Sequence, residues 1–163
     1  DKTRLLEFGR FAAVDRGRRG LGKPETFNFL GFTHICGRSR DGAFQLQRHS
    51  RRDRVRAKLQ AIKEDLKRRM HQSIPDQGKW LRQVVGGFLA YHAVPTNSKR
   101  ICAFRHHVVN LWRRTLRYRS QKDRTRWDRI AQIANDWLPP PRVLHPWPGI
   151  RFAAKHPRWE PGA

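Results

Sequence analysis

The sequence predicts an α+β chain, mainly α. It should begin with a β-strand and a β-hairpin, continue into a bundle of three to four helices, and end in an extended proline-rich tail. Three observations predict this. Residues 26–36 place Phe27, Phe29, Gly31 and Thr33 in alternation with Asn28, Leu30, Phe32 and His34, and Arg40-Asp41-Gly42 follows as a turn before residues 43–48, the period-two pattern of a half-buried hairpin. Ile101, Phe104, Val108, Leu111, Trp112 and Thr115 recur at three- and four-residue steps, which puts them on one helical face. Pro139-Pro140-Pro141 then ends all regular helix, because proline lacks the amide donor and clashes with the preceding turn. The expected boundaries are 1–49 for the β part, 50–138 for the helices and 139–163 for the tail.

In chain order, Thr3-Arg4-Leu5-Leu6-Glu7-Phe8 reads as a strand, and residues 16–23 as a basic, glycine-rich loop. That loop nearly matches a phosphate loop, with Gly17 followed four residues later by Gly22-Lys23. Pro24 stands where Ser or Thr should bind magnesium, so the match is rejected. Gly31, in mid-strand, predicts a close backbone approach. Ser50 is placed to cap a helix reaching to about His71, with Val55, Leu59, Ile62 and Leu66 inward. Residues 74–77 read as a connector. The next helix, over 79–93, should bury Trp80, Leu81, Val84, Val85, Phe88, Leu89 and Tyr91, with Gly86-Gly87 marking tight packing against a neighbour. Residues 94–98 form a short turn, which makes the flanking helices antiparallel. Asn97 or Ser98 should cap the helix over 99–120. A last helix starts near Asp123 and turns Trp127, Ile130, Ala131, Ala134 and Trp137 inward. The tail interleaves Trp147, Phe152 and Trp159 with Arg142, Arg151, Lys155 and Arg158, to wrap the body or stack on unpaired bases.

The chain of 163 residues carries a formal net charge of +23 and an isoelectric point near 11.7. Such self-repulsion favours a polyanionic partner, and nucleic acid is the first choice because each neutralised phosphate releases counterions. Arg54, Arg56, Lys58, Lys63 and Lys67 flank the first long helix. Lys99, His106, Arg113 and Arg117 fall opposite the apolar face of the helix over 99–120, with Arg105 and Arg114 beside them. These eleven side chains are the predicted nucleic-acid-binding residues. Cys36 and Cys102 stand apart and outside any C-x-x-C pair, as two buried free thiols in a reducing compartment would. No long apolar run and no signal segment are visible, His106-His107 lack metal-ligand partners, and no nucleophile–base arrangement stands out. No cofactor, metal or membrane partner is therefore expected for this chain. The sole methionine is Met70, so the chain reads as a piece of a longer or processed protein.

Several strings resemble one family. Residues 2–11, KTRLLEFGRF, and residues 22–34, GKPETFNFLGFTH, are similar to the final palm blocks of bacterial group II intron reverse transcriptases. Residues 87–98, GFLAYHAVPTNS, with Phe104-Arg105 and residues 111–121, LWRRTLRYRSQ, resemble their maturase, or thumb, domain. Residues 137–142, WLPPPR, and His145-Pro146 resemble the closing segment. The resemblance implies an RNA-binding fragment: the end of a palm, a thumb bundle of mainly three helices that binds intron RNA to assist splicing and holds the template–primer duplex, and a bacterial, cytoplasmic ribonucleoprotein setting. It implies that Phe29, Leu30, Gly31 and Phe32 form a primer grip. It also matches Lys2 to a palm lysine that acts as general acid in the parent enzyme. Fingers and palm of that parent would be partners, and its polymerase would use Mg2+. The Tyr-x-Asp-Asp box that holds metal in the family is absent from these residues, so this chain alone should be inactive in nucleotide transfer. No paired-cysteine nuclease segment is present either. The competing reading is a basic, ribosomal-type RNA scaffold without intron specificity.

Overall fold

The computed structural model describes residues 3, 5–119, 126–148 and 150. Lys2, Arg4, the expected helix start at Asp123, and Phe152, Trp159, Arg151, Lys155 and Arg158 of the tail lie outside them. The chain forms two compact units, Asp1–Arg51 and Arg52–Ala163. Among the described residues, the α+β expectation holds as five helices and one three-stranded antiparallel sheet.

In the first unit, none of the described residues of the strand expected over 3–8 is in a strand. The unit opens instead with α1 (Ala12–Arg18), inside the stretch read as a loop. Glu7 pairs with Arg16 at 3.3 Å and with Arg19 at 2.6 Å, which holds its carboxyl below the usual carboxylate range. The expected single strand over 26–36 is two strands, β1 (Phe27–Phe29) and β2 (Phe32–Arg38). Phe29 faces Phe32, so Leu30-Gly31 is a two-residue turn. Both its residues have positive φ, 44° and 78°, the condition for a type I′ hairpin. Gly31 is thus a turn residue, which corrects the mid-strand reading. β3 (Phe44–Ser50) pairs antiparallel with β2, from Arg38↔Phe44 to Phe32↔Ser50, and Gly42, at φ 80°, forms part of the expected second turn. Ser50, the expected cap, is the last residue of β3, two residues before α2 begins at Arg52.

The second unit is helical. α2 (Arg52–Arg68) buries Ile62 and Leu66, with Val55 and Leu59 half-buried against the same core, as the stripe predicts. α3 (Ile74–His92) starts five residues before the expected 79, so residues 74–77 are helix and not connector. The Ser73 hydroxyl accepts the Asp76 amide at 3.2 Å and Pro75 sits in the first turn, an N-terminal arrangement that satisfies an otherwise orphan donor. α4 (Ser98–Tyr118) follows the turn over 93–97. Asn97 stands at its N-cap without a side-chain cap bond; its amide donates instead to the His92 carbonyl at 2.7 Å, tying the turn to the end of α3. α5 (Trp127–Trp137) buries Ile130 and Ala134. Trp127 is 39 % exposed and Tyr91 is 50 % exposed, so neither is the core residue expected.

α4 is the centre of this unit, in contact with α2, α3 and α5. Phe104 stacks on Phe88 of α3 at 3.7 Å. Trp112 is fully buried and its indole N–H donates to the buried Gln77 side chain of α3 at 2.7 Å. Gln77 in turn donates to the Arg69 carbonyl at 2.8 Å. One hydrogen-bond chain therefore joins α4, α3 and the end of α2 through otherwise costly buried polar groups.

The glycines reverse the packing expectation. A Cβ at Gly86 or Gly87 would meet nothing within 4 Å, whereas at Gly78 it would come within 2.5 Å of the Trp137 ring of α5. Gly78 is the residue that lets α3 and α5 approach. Gly86→Ala and Gly87→Ala should each stabilise by roughly 0.5–1 kcal/mol, because alanine restricts the unfolded chain and favours helix. Gly78→Ala should destabilise by about 1–3 kcal/mol through overpacking. Thermal melts that rank the three alike would contradict this assignment.

The tail from Pro139 to Pro148 groups with the helical unit. The Leu144 and His145 amides donate to the Ala93 carbonyl at 2.8 and 3.2 Å, and His145 Nε2 lies 2.7 Å from the Ala90 carbonyl. The tail thus returns to the end of α3, as the wrapping expectation requires for this part. Cys36 is half-buried and receives the Gly9 amide at 3.4 Å; Cys102 is exposed, contrary to expectation, and both are free thiols. Among the described residues, no helix is long and apolar enough to cross a membrane, and no group of three metal-ligating side chains occurs.

Candidate nucleic-acid interface

The charge on α4 follows from its sequence. Its 21 residues contain six Lys or Arg, two His and no acid. A turn of about 100° per residue brings Lys99, His106, Arg113 and Arg117 within about 40° of one another. Lys99, His106 and Arg117 are exposed. The ridge from Lys99 to Arg117 is roughly 27 Å long at about 1.5 Å per residue. The same helix buries Ile101, Phe104, Val108 and Trp112 on its opposite side and Val109 and Leu116 on the flank between. The core therefore fixes which way the cations point.

α2 repeats the design. Arg54, Arg56, Lys58, Lys63 and Lys67 are all exposed. Arg56, Lys63 and Lys67 share one flank with the exposed Arg52 within about 60°, while Glu64 and Asp53 lie further round the helix. Arg52 joins the predicted cations, and its spacing of four residues from Arg56 is the signal that marks it. Asp65 engages Arg68 at 3.2 Å, a surface pair worth little. Arg114 is exposed on α4 but off the ridge.

Two predicted residues are placed differently from the rest. Arg105 is half-buried and turned toward α5. Its guanidinium donates to the Pro139 carbonyl at 3.2 Å, the Ala134 carbonyl at 3.0 Å and Asn135 Oδ1 at 3.0 Å. It satisfies carbonyls at the C-terminus of α5, where a cation is favoured. Its position on the helix, about 20° from Trp112 and from Leu116, puts it in the buried sector, so it is a tie between helices rather than an open phosphate ligand. Arg105→Ala should cost about 1.5–3 kcal/mol of stability, the value of hydrogen bonds to a charged group, with the salt dependence of RNA binding unchanged; an unaltered melt would contradict this role. Arg113 is half-buried, with its guanidinium 5.6 Å from the Trp127 ring centre. Its Nε is buried and has no hydrogen-bond partner among the described residues. The His106 ring lies against the same indole, 5.1 Å between ring centres and tilted by 46°. His92, stacked on Phe88 at 4.2 Å, has its pKa held below the ordinary histidine value by burial.

The hairpin residues 29–32 lie in the first unit. Phe29 and Leu30 are 58 % and 66 % exposed at the turn, Gly31 completes it, and Phe32 is buried at its base. Leucine in the left-handed region is unusual and costs roughly 1–2 kcal/mol, so an exposed apolar side chain is presented there at some expense.

No family model, curated protein or solved structure matches this chain.

Proposed function

We propose that this chain is an RNA-binding maturase and thumb fragment of a group II intron reverse transcriptase. In this reading it binds folded intron RNA to assist splicing and contributes to holding the template–primer duplex in a parent enzyme. The observation that carries the RNA-binding part is the acid-free, 21-residue α4, one side in the core and the other a ridge of cations. The intron-specific part is supported by the resemblance of the residue strings alone. An A-form helix presents phosphates and 2′-hydroxyls across a shallow groove and is read largely by shape. A rigid ridge roughly 27 Å long, fixed by a packed helix, suits such a surface. No protein-borne bond-making step is part of this reading. The chain binds, and by binding the active fold of an RNA it raises the population of that fold.

Primer-grip contact by Phe29, Leu30, Gly31 and Phe32, and Mg2+ chemistry with Lys2 as general acid, belong to the proposed parent enzyme. The ribosomal-type scaffold shares the same electrostatics and differs only in preference. Crosslinking the chain to total cellular RNA and sequencing the products separates the two. Enrichment of group II intron RNA over ribosomal RNA is expected. Equal recovery in proportion to abundance, or tight ribosome association, contradicts the intron-specific reading.

A further inference from the structure

We propose that the cleft between α4 and α5 receives one unpaired nucleobase of the bound RNA. This rests on the RNA-binding reading and deepens it by naming a ligand group and its place. The cleft has a volume of about 230 Å³. Val109, Ala131 and Ala134 contribute apolar surface, Trp127 and His106 contribute rings, and Asn135 adds a side-chain amide. No acidic side chain lines it. Trp127 is the first residue of α5 and leaves 39 % of its surface in solvent. It is held from the α4 side by the His106 ring at 5.1 Å and the Arg113 guanidinium at 5.6 Å.

An indole so held keeps a fixed plane in solvent, and a flat apolar ligand gains most from such a platform. A nucleobase is flat, apolar on its faces and polar at its edge, where the Asn135 amide can donate. Its own backbone phosphate would lie toward the cationic ridge, since His106 lines the cleft and also stands on the ridge. A neutral or acidic peptide has no comparable use for a ring platform ringed by a ridge of phosphate ligands. In a perfect duplex every base is stacked and paired, so only an unpaired base can enter.

The test uses the full chain and two RNA duplexes of the same sequence, one carrying a single unpaired adenosine. The chain should bind the bulged duplex more tightly. Trp127→Ala should lower affinity for the bulged RNA by roughly 5- to 150-fold, the stacking of one base expressed as a ratio, and leave the perfect duplex unchanged. Trp127→Phe should retain most of the preference, which keeps the test valid if the alanine variant folds poorly. Cys102, exposed and lining the cleft, provides a second readout: its alkylation should slow with the bulged RNA and not with the perfect duplex. Equal affinity for both RNAs, with no effect of Trp127→Ala and no protection of Cys102, overturns the base-binding cleft while leaving RNA binding intact. If neither duplex binds, the RNA reading and the cleft are overturned together.

Discussion

Trp112→Ala should lower the stability of the helical unit by about 3–5 kcal/mol. The side chain is the largest of those fully buried and sits where α4 meets its neighbours. Its loss opens a cavity and also removes the donor that satisfies Gln77 Oε1 at 2.7 Å. Trp112→Phe separates these effects. It preserves most of the volume and leaves the Gln77 oxygen unsatisfied, which should cost about 1–3 kcal/mol. Small domains have a total stability of roughly 5–15 kcal/mol, so the alanine variant should melt far below the parent or fail to fold. Coincident melting curves would show that Trp112 is not the pin of the bundle.

The second large effect is on binding. Lys99→Glu together with Arg117→Glu reverses both ends of the α4 ridge, where the side chains are exposed and have no hydrogen-bond or ion-pair partner among the described residues. RNA affinity at low salt should fall at least about tenfold, and the slope of log affinity against log salt should shrink by roughly two. The far-ultraviolet circular dichroism should not change, because neither residue contributes to the core. Arg105→Ala should do the opposite, with a lower melting temperature and an unchanged slope. Wild-type affinity in the double variant would place the interface elsewhere.

The features legible in the sequence were those written in periodicity. The stripe Val55, Leu59, Ile62, Leu66 and the face Ile101, Phe104, Val108, Trp112 both entered the core where their spacing put them. The second hairpin turn was legible because Arg40-Asp41-Gly42 follows an alternating aromatic run. What failed was local and small. α1 buries no residue, so no apolar period marks it, and Gly17 within it reads as a breaker. Residues 74–77 read as a connector because Pro75 and Asp76 are common in loops; with Ser73 before them, they instead mark a first helical turn. Leu30-Gly31 hid a turn because leucine rarely takes positive φ.

The proposed interface was legible by charge and less so by role. Lys99, His106, Arg117 and the α2 cations lie exposed. Arg105 does not, because a long side chain in the buried sector can still reach carbonyls on another helix, which composition does not reveal. Likewise Gly78 against Trp137 depends on how α5 packs, a distance along the chain that no local pattern encodes. The cleft around Trp127 is hidden for the same reason: the place of Trp127 in the α5 stripe points to the core, and only the packed helices leave it partly in solvent.

The most direct measurement is the equilibrium affinity of the chain for a structured group II intron RNA over a range of salt concentrations. If six to ten phosphates are engaged, affinity should fall by about three to five decades between 50 and 200 mM salt, linearly on logarithmic axes. A response that stays flat across that range would contradict recognition through phosphates, and with it the role given to the α2 and α4 ridges.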